Sequence, residues 1–393
     1  MLPDDYWTFL KKLISTKSLS CEEGDVASII ESEMKLLGYD DVFIDKIGNV
    51  IGIIDKGDGP VVCLNGHMDH VPEGSLENWK TPPYKPTVID GKLYGRATVD
   101  MKSALAAMIY AAAKAKKLDD IHGKIVVTAV VQEELQEGLG MQYIVEHEKM
   151  NFDAVILGEA TNLNLAIGHR GRGELIIRVY GKTSHASMPE LGDNAIYHAV
   201  PIIEEIMEFQ QELPEHQKLG KGTVAVTAIR AYPGEGPIIP DKVELNVDRR
   251  MILGVTQKDL VQQLESIISR AKRKDSNISA EVELITLNTR SYTGYEMEVT
   301  RFFPTWLMDE QHSIVVKAKY ALSEVLGHEP NLITWRFSTD GAYTNGVAKI
   351  PTIGFGPGDE SLAHQPNEYV PLEHLKVAYN GYVSLIKTLT TYT

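Results

Sequence analysis

Apolar residues recur at helical spacing over 4–14 and 25–37 and then alternate with polar ones over 42–54, which predicts two helices followed by strands that the turn Lys56-Gly57-Asp58-Gly59 ends. The run Val61-Val62-Cys63-Leu64 predicts a buried strand over 60–65. A long stretch of turn formers through Trp79, Pro82 and Pro83 follows, and loops of that length in a compact domain usually carry function. Beyond it the pattern predicts an alanine-rich helix over 101–117, a strand over 124–131, a helix over 140–148 and a strand over 153–157. Strands alternating with helices predict an α/β fold with a mainly parallel sheet covered on both faces.

After Gly168 the pattern changes. Strand-like alternation over 174–180, 223–230, 242–249 and 280–287 is interleaved with helical spacing over 194–211 and 256–272, giving a β-α-β-β-α-β order. Such an order predicts a small antiparallel sheet with two helices on one face, an inserted α+β, ferredoxin-like unit spanning 170–295 with hinges near 168–173 and 292–294. The first pattern then resumes with a helix over 313–326, a strand over 349–355 and a helix over 372–388, so 1–169 and 296–393 are expected to form one domain.

A length of 393 residues suits this two-unit organisation. A net charge of −15, from 39 basic and 54 acidic residues, argues against nucleic acid or an anionic membrane as partner. The longest apolar helical stretch, 104–113, is too short to span a bilayer, and the amino terminus has early acids, Asp4 and Asp5, where a signal peptide has basic residues. Two cysteines, Cys21 and Cys63, cannot build a disulfide framework. A cytoplasmic protein is expected.

Histidines and carboxylates cluster just after the predicted strands: His67 and Asp69 after 61–64, Glu133 and Glu134 after 125–131, Glu159 after 154–157, and His364 beyond 350–355. In an open α/β sheet the carboxyl ends of strands line the ligand crevice, so groups far apart in sequence converge there. Taken singly each has a plain reading, and Asp100 in particular reads as the N-cap of the alanine-rich helix. Together, two histidines and three carboxylates, one of them bridging, suit a pair of divalent ions.

These stretches carry a resemblance to the M20 family of metallopeptidases and deacylases, which includes acetylornithine deacetylase, succinyl-diaminopimelate desuccinylase, aminoacylase and glutamate carboxypeptidase. It rests on Asn65-Gly66-His67-Met68-Asp69, on 95–102, on Gln132-Glu133-Glu134, on Gly158-Glu159-Ala160-Thr161, on 181–187 and on Ala363-His364, in that order along the chain. Within the family the chain is most similar to a hydrolase subgroup named for a link to selenium metabolism, on 168–172, Asp248-Arg249-Arg250 and 354–358. The resemblance implies that His67 and Glu159 bind one metal, Glu134 and His364 the other, and Asp100 both, with zinc expected and manganese or cobalt able to suit the same donors. It implies that Asp69 orients His67 and that Glu133 is the general base for a metal-bridging water, its side chain pointing away from that of Glu134 as neighbours on a strand do. It further implies that His185 stabilises the oxyanion from the inserted unit of a partner subunit, in a homodimer formed through that unit.

Arg250 falls where relatives grip a substrate carboxylate, while Arg249, Arg170 and Arg172 are weaker candidates that read better as hinge or surface residues. Pro237 replaces an asparagine common in the deacylases, which removes one customary contact to the substrate. The expected activity is hydrolysis of an N-acyl amino acid or small dipeptide-like amide. A ureido or carbamoyl amide is the alternative on the same site, and an inactive metal-containing binding protein is the alternative of a different class. Release of amine rather than ammonia separates the first two.

Overall fold

The computed structural model describes residues 2–391, so positions 1, 392 and 393 of the first expected domain lie outside the described residues. Its larger unit is built on a nine-stranded sheet. Four parallel strands form the centre, in the order Lys124–Val130, Val61–His67, Ala154–Leu157, Thr352–Gly354. Antiparallel strands extend both edges: Val50–Asp55 and Asp41–Ile44 on one side, Leu165–His169 and Trp306–Leu307 on the other. Leu332–Trp335 also joins, parallel to Leu165–His169. The parallel centre is buried on both faces, which is why its strands read as continuous apolar runs.

Helix Lys102–Ala115 is buried around nearly its whole circumference, packed against Asp4–Ser15, Leu372–Thr390 and the central strand Val61–His67. Its alanines permit the close approach, and two glycines on the sheet require it. A Cβ on Gly66 or on Gly158 would meet the methyl of Met108, on the helix, at 2.9 and 2.7 Å. Each of these glycines immediately precedes a candidate metal donor, His67 and Glu159, so tight packing of the helix fixes where those donors emerge.

The second unit is an antiparallel sheet in the order Thr223–Tyr232, Lys242–Met251, Gly171–Tyr180, Ser279–Leu284. Burial alternates residue by residue along Gly171–Tyr180 and Lys242–Met251. Helices Ala195–Glu212 and Gln257–Lys274 cover the apolar face and enclose a separate core that includes Leu175, Ile177, Ile202, Leu245, Val247, Leu264 and Ile267. The other face carries half-buried polar residues, among them Arg172, which pairs in register with Arg250.

The return connection differs from expectation. The boundary at 295 falls inside a hairpin, Thr286–Arg290 with Glu296–Thr300, and the hinge expected at 292–294 is its tip. That tip is fastened to the larger unit: the Tyr292 hydroxyl donates to the Gly48 carbonyl at 3.0 Å and the Thr293 hydroxyl to the Lys46 carbonyl at 2.6 Å. Tyr292, Tyr295 and Met297 pack on the larger core. An aromatic-rich hairpin that can bury its tip does so, and the crossing back to the larger unit moves to Phe302–Phe303, which pairs with Arg172 and Gly173.

No helix among the described residues is long and apolar enough to cross a membrane.

Candidate metal centre

His67 ends a central strand and is almost completely buried. Its Nδ1 faces the Asp69 main-chain carbonyl at 3.0 Å and the Asp69 carboxylate at 3.6 Å, which turns Nε2 into the crevice. Nε2 lies 2.9 Å from one oxygen of Asp100 and 3.4 Å from Glu159. The other oxygen of Asp100 lies 3.0 Å from His364 Nε2, which is also 3.0 Å from Glu134. Two donor groups therefore form, His67 with Asp100 and Glu159, and Asp100 with Glu134 and His364, each with its ligand atoms within 4.8 Å of one another. Asp100 is common to both and offers a different oxygen to each. The N-cap reading of Asp100 does not apply, because the helix begins at Lys102 after Met101 and no side chain caps it.

The electrostatics of this cluster favour added positive charge. Burial works against a charged imidazole at His67, but Asp100, Asp69 and Glu159 outweigh it and hold its pKa well above the ordinary value. Hydrogen bonds to Asp100 and Glu134 raise His364 to about 10. Burial pushes Glu134 up to about 7 and raises Glu159. Two imidazoles and three carboxylates sharing one bridging aspartate fit a pair of divalent cations, whose charge would replace those protons.

Glu133 belongs to neither donor group, although it lies 4.0 Å from His67 Nε2. Burial raises its carboxyl well above the usual range, and its Oε1 has no hydrogen-bond partner among the described residues. The strand-alternation argument for separating Glu133 from Glu134 fails here, since the strand stops at Val130 and both side chains line one cavity. A tied turn replaces it. The Asp69 carboxylate accepts from the main-chain N–H of Glu133 at 3.1 Å and of Glu134 at 3.2 Å, Glu23 accepts from Gln132 N–H at 3.0 Å, and the Asn49 side chain accepts from Val131 N–H at 3.0 Å. Asp69 thus shapes the glutamate turn as well as facing His67.

Two further supports carry no metal donor. The Glu368 carboxylate, fully buried, accepts from Arg96 at 2.7 Å and from the main-chain N–H groups of Ala97, Val99 and Asp100 at 3.2, 2.6 and 3.2 Å, and so holds the loop that presents Asp100. The amino-terminal segment braces the His67 loop: Ser18 N–H donates to His70 Nε2 at 3.0 Å, the Ser18 hydroxyl to the Met68 carbonyl at 2.7 Å, and the Ser20 hydroxyl to Asp69 at 2.6 Å.

A cavity of about 370 Å³ opens over the donors and is lined by Asp100, Glu133, Glu134, Glu159 and His364 together with Glu137, Arg172, Arg250, Phe337, Ser338 and Glu360. Arg250 is there as expected, its Nε donating to Asp248 at 2.9 Å. Arg172 is there too, contrary to its reading as a hinge or surface residue, bound to Glu137 at 2.8 Å. Arg249 points away, donating to the Thr223 carbonyl at 3.2 Å. His185 does not line the cavity of its own chain: it is exposed in a loop bridged to Ile238, its Nδ1 2.7 Å from the Ser187 hydroxyl. Glu137, Phe337, Ser338 and Glu360 escaped the sequence reading. For Arg172 a signal existed, since strand parity places it on the same face as Arg250.

The family model Peptidase family M20/M25/M40 matches residues 63–388. The chain is 35% identical over 383 residues to the uncharacterized protein YgeY of Escherichia coli (strain K12), covering 97% of this chain and 93% of that protein. It is 28% identical over 404 residues to the succinyl-diaminopimelate desuccinylase of Colwellia psychrerythraea, covering 97% and 94%. Among solved structures, the M20 family metallo-carboxypeptidase Sso-CP2 from Sulfolobus solfataricus superposes with a TM-score of 0.78 at 17% identity over 99% of this chain and all of that one.

Proposed function

Because this chain belongs to peptidase family M20/M25/M40 and is a hydrolase of peptide or amide bonds, we propose that it cleaves an N-acyl amino acid or small dipeptide-like amide with two divalent ions held by His67, Asp100, Glu134, Glu159 and His364. The observation that carries this reading is the pair of donor groups sharing Asp100. Zinc is the proposed metal, and manganese or cobalt meets the same donor set.

Bound there, the cations would polarise the scissile carbonyl and increase the acidity of the attacking water. Glu133 takes that water's proton and passes it to the leaving amine. Its freedom from both donor groups suits a group that must accept a proton and then release it. Arg250 offers its terminal guanidinium nitrogens to the substrate carboxylate. The products are a carboxylic acid and an amine.

We place His185 in the site of a partner subunit, where its imidazole donates to the tetrahedral oxyanion. Its exposure, outside its own cavity, supports this. So does the surface nearby: helix Ala195–Glu212 exposes Ile196, Tyr197, Val200 and Met207, and strand Thr223–Tyr232 pairs along one edge only among the described residues. We propose a homodimer through the smaller unit, which also serves as lid. The free thiols of Cys21 and Cys63 suit the cytoplasm.

Metal analysis of protein reconstituted with zinc, paired with a screen of N-acetyl, N-succinyl, N-carbamoyl and dipeptide amides, tests the reading. Two ions per chain and release of primary amine are expected. Ammonia as the nitrogen product would replace the amide substrate with a ureido one, and a loaded protein that turns over nothing would reduce it to a metal-binding protein.

A further inference from the structure

Once the donor cluster is set aside, the cavity's remaining charges are unequal in how well they are met. Arg172 is held by Glu137, which also accepts from the Ser338 hydroxyl at 2.8 Å. Arg250 has Asp248 on its Nε, and its terminal nitrogens make no hydrogen bond among the described residues. Glu360 has no hydrogen-bond or ion-pair partner for its carboxylate among the described residues. It is half-buried, its Oε2 is shielded from solvent without a hydrogen-bond partner, and no lysine or arginine among the described residues comes within ion-pair distance of it.

The local fold explains why this carboxylate is left over. Glu360 opens the short helix Glu360–Leu362, and the neighbouring acid, Asp359, is consumed in capping it, accepting from the Ser361 N–H at 2.9 Å and the Ser361 hydroxyl at 2.8 Å. Glu360 takes no part in the cap and faces the cavity four residues ahead of His364, outside both donor groups. Burial raises its carboxyl, Asp359 adds to the rise, and Arg336 opposes it from beyond ion-pair distance. A shielded acceptor without a protein donor is costly, and at the wall of a ligand cavity a bound ligand is placed to bring that donor.

Resting on the amide-hydrolase reading above, we propose that Glu360 binds a cationic amino group of the substrate, so that the substrate is an amide bearing both a carboxylate, for Arg250, and an ammonium group, for Glu360. The ammonium has two sources with the same chemistry: the free amino terminus of a dipeptide, on the acyl half, or a side-chain amine of an N-acyl diamino acid, on the amine half.

Matched pairs separate the two sources. Glycyl-L-alanine and acetyl-L-alanine differ only by an amino group on the acyl half, and Nα-acetyl-L-ornithine and Nα-acetyl-L-norvaline differ only by one on the amine half. With the metal-loaded protein, the ammonium member of one pair is expected to have a kcat/KM larger by about tenfold or more, and Glu360→Gln is expected to bring that ratio to within about twofold of unity through KM. Glu360→Lys, which reverses the charge, inverts the preference, and an unchanged circular dichroism spectrum ties the effect to the cavity. Calorimetric binding of ornithine against norvaline gives a readout without turnover. Preference for ornithine that disappears in Glu360→Gln supports the assignment even if no amide is cleaved, in which case the hydrolase reading alone falls. Turnover of both members with the same ratio in parent and variant overturns the role of Glu360 and leaves the hydrolase standing. Absence of discrimination in both assays overturns it as well.

Discussion

At the residue scale the proposed chemistry turns on two adjacent glutamates with different surroundings. Glu134 lies 3.0 Å from His364 and shares a donor group with it and Asp100, whereas Glu133 belongs to neither donor group. Glu133→Gln keeps the shape and removes the proton acceptor, so kcat is expected to fall by about 10²- to 10⁴-fold while bound metal, measured by atomic emission, stays at the parent level. The two imidazoles lead to a second expectation. Both have pKa values above the ordinary one when only carboxylates face them, so near pH 7 the metal-free protein holds a proton on each. A metal needs the neutral ring, so binding releases protons and affinity rises with pH through the range in which the rings are protonated. Calorimetry in buffers of different ionisation enthalpy reads the released protons, and a heat independent of buffer would contradict the expectation. Four of the five candidate donors, His67, Glu134, Glu159 and His364, were legible because each lies beyond an apolar strand and strand ends converge, whereas Asp100 joined them from the start of the alanine-rich helix. Glu137 and Glu360 were not legible, because no periodicity tells which side of an irregular turn faces a cavity.

At the scale of elements, the site depends on loops tied by buried carboxylates more than on regular structure. Sequence periodicity captured the central strands and the alanine-rich helix, whose patterns are set by burial on all sides, and the two-residue alternation of the smaller sheet, set by one covered face. It could not supply the turn 131–134, which exists because Asp69, Glu23 and Asn49 reach it from three other stretches. Nor could it show that Glu368 gathers the loop before Asp100. Arg96 and Glu368 are both buried, and Arg96 also stacks on Trp79 at 5.0 Å. Glu368→Ala strands the guanidinium, so it is expected to destabilise the fold by about 3–5 kcal/mol in urea unfolding and to weaken metal binding, because the Val99 and Asp100 N–H groups lose their acceptor. A variant of parent stability would show that the loop is held by other contacts.

At the scale of the whole molecule, two cores are joined at Phe302–Phe303 and at the start of Gly171–Tyr180, and Arg172 and Arg301 cross between them, Arg172 to Glu137 and Arg301 to Gln136 at 3.2 Å. The smaller unit therefore touches the stretch immediately after the two glutamates, and its position can bear on theirs. If His185 serves the neighbouring subunit, two inactive variants should complement each other. Coexpressed Asp100→Ala and His185→Ala subunits should regain about a quarter of parental activity, since half of randomly paired dimers are mixed and each has one complete site. A mixture as inactive as its components would place His185 elsewhere. The amino-terminal brace has a broader consequence. Ser18, Ser20 and Glu23 never approach a donor atom of the centre as neighbours, yet they mould the loops that carry His67, Glu133 and Glu134. Substitutions confined to that short stretch offer a tuning dial for the catalyst, one that an engineer can turn while leaving every liganding side chain as it is.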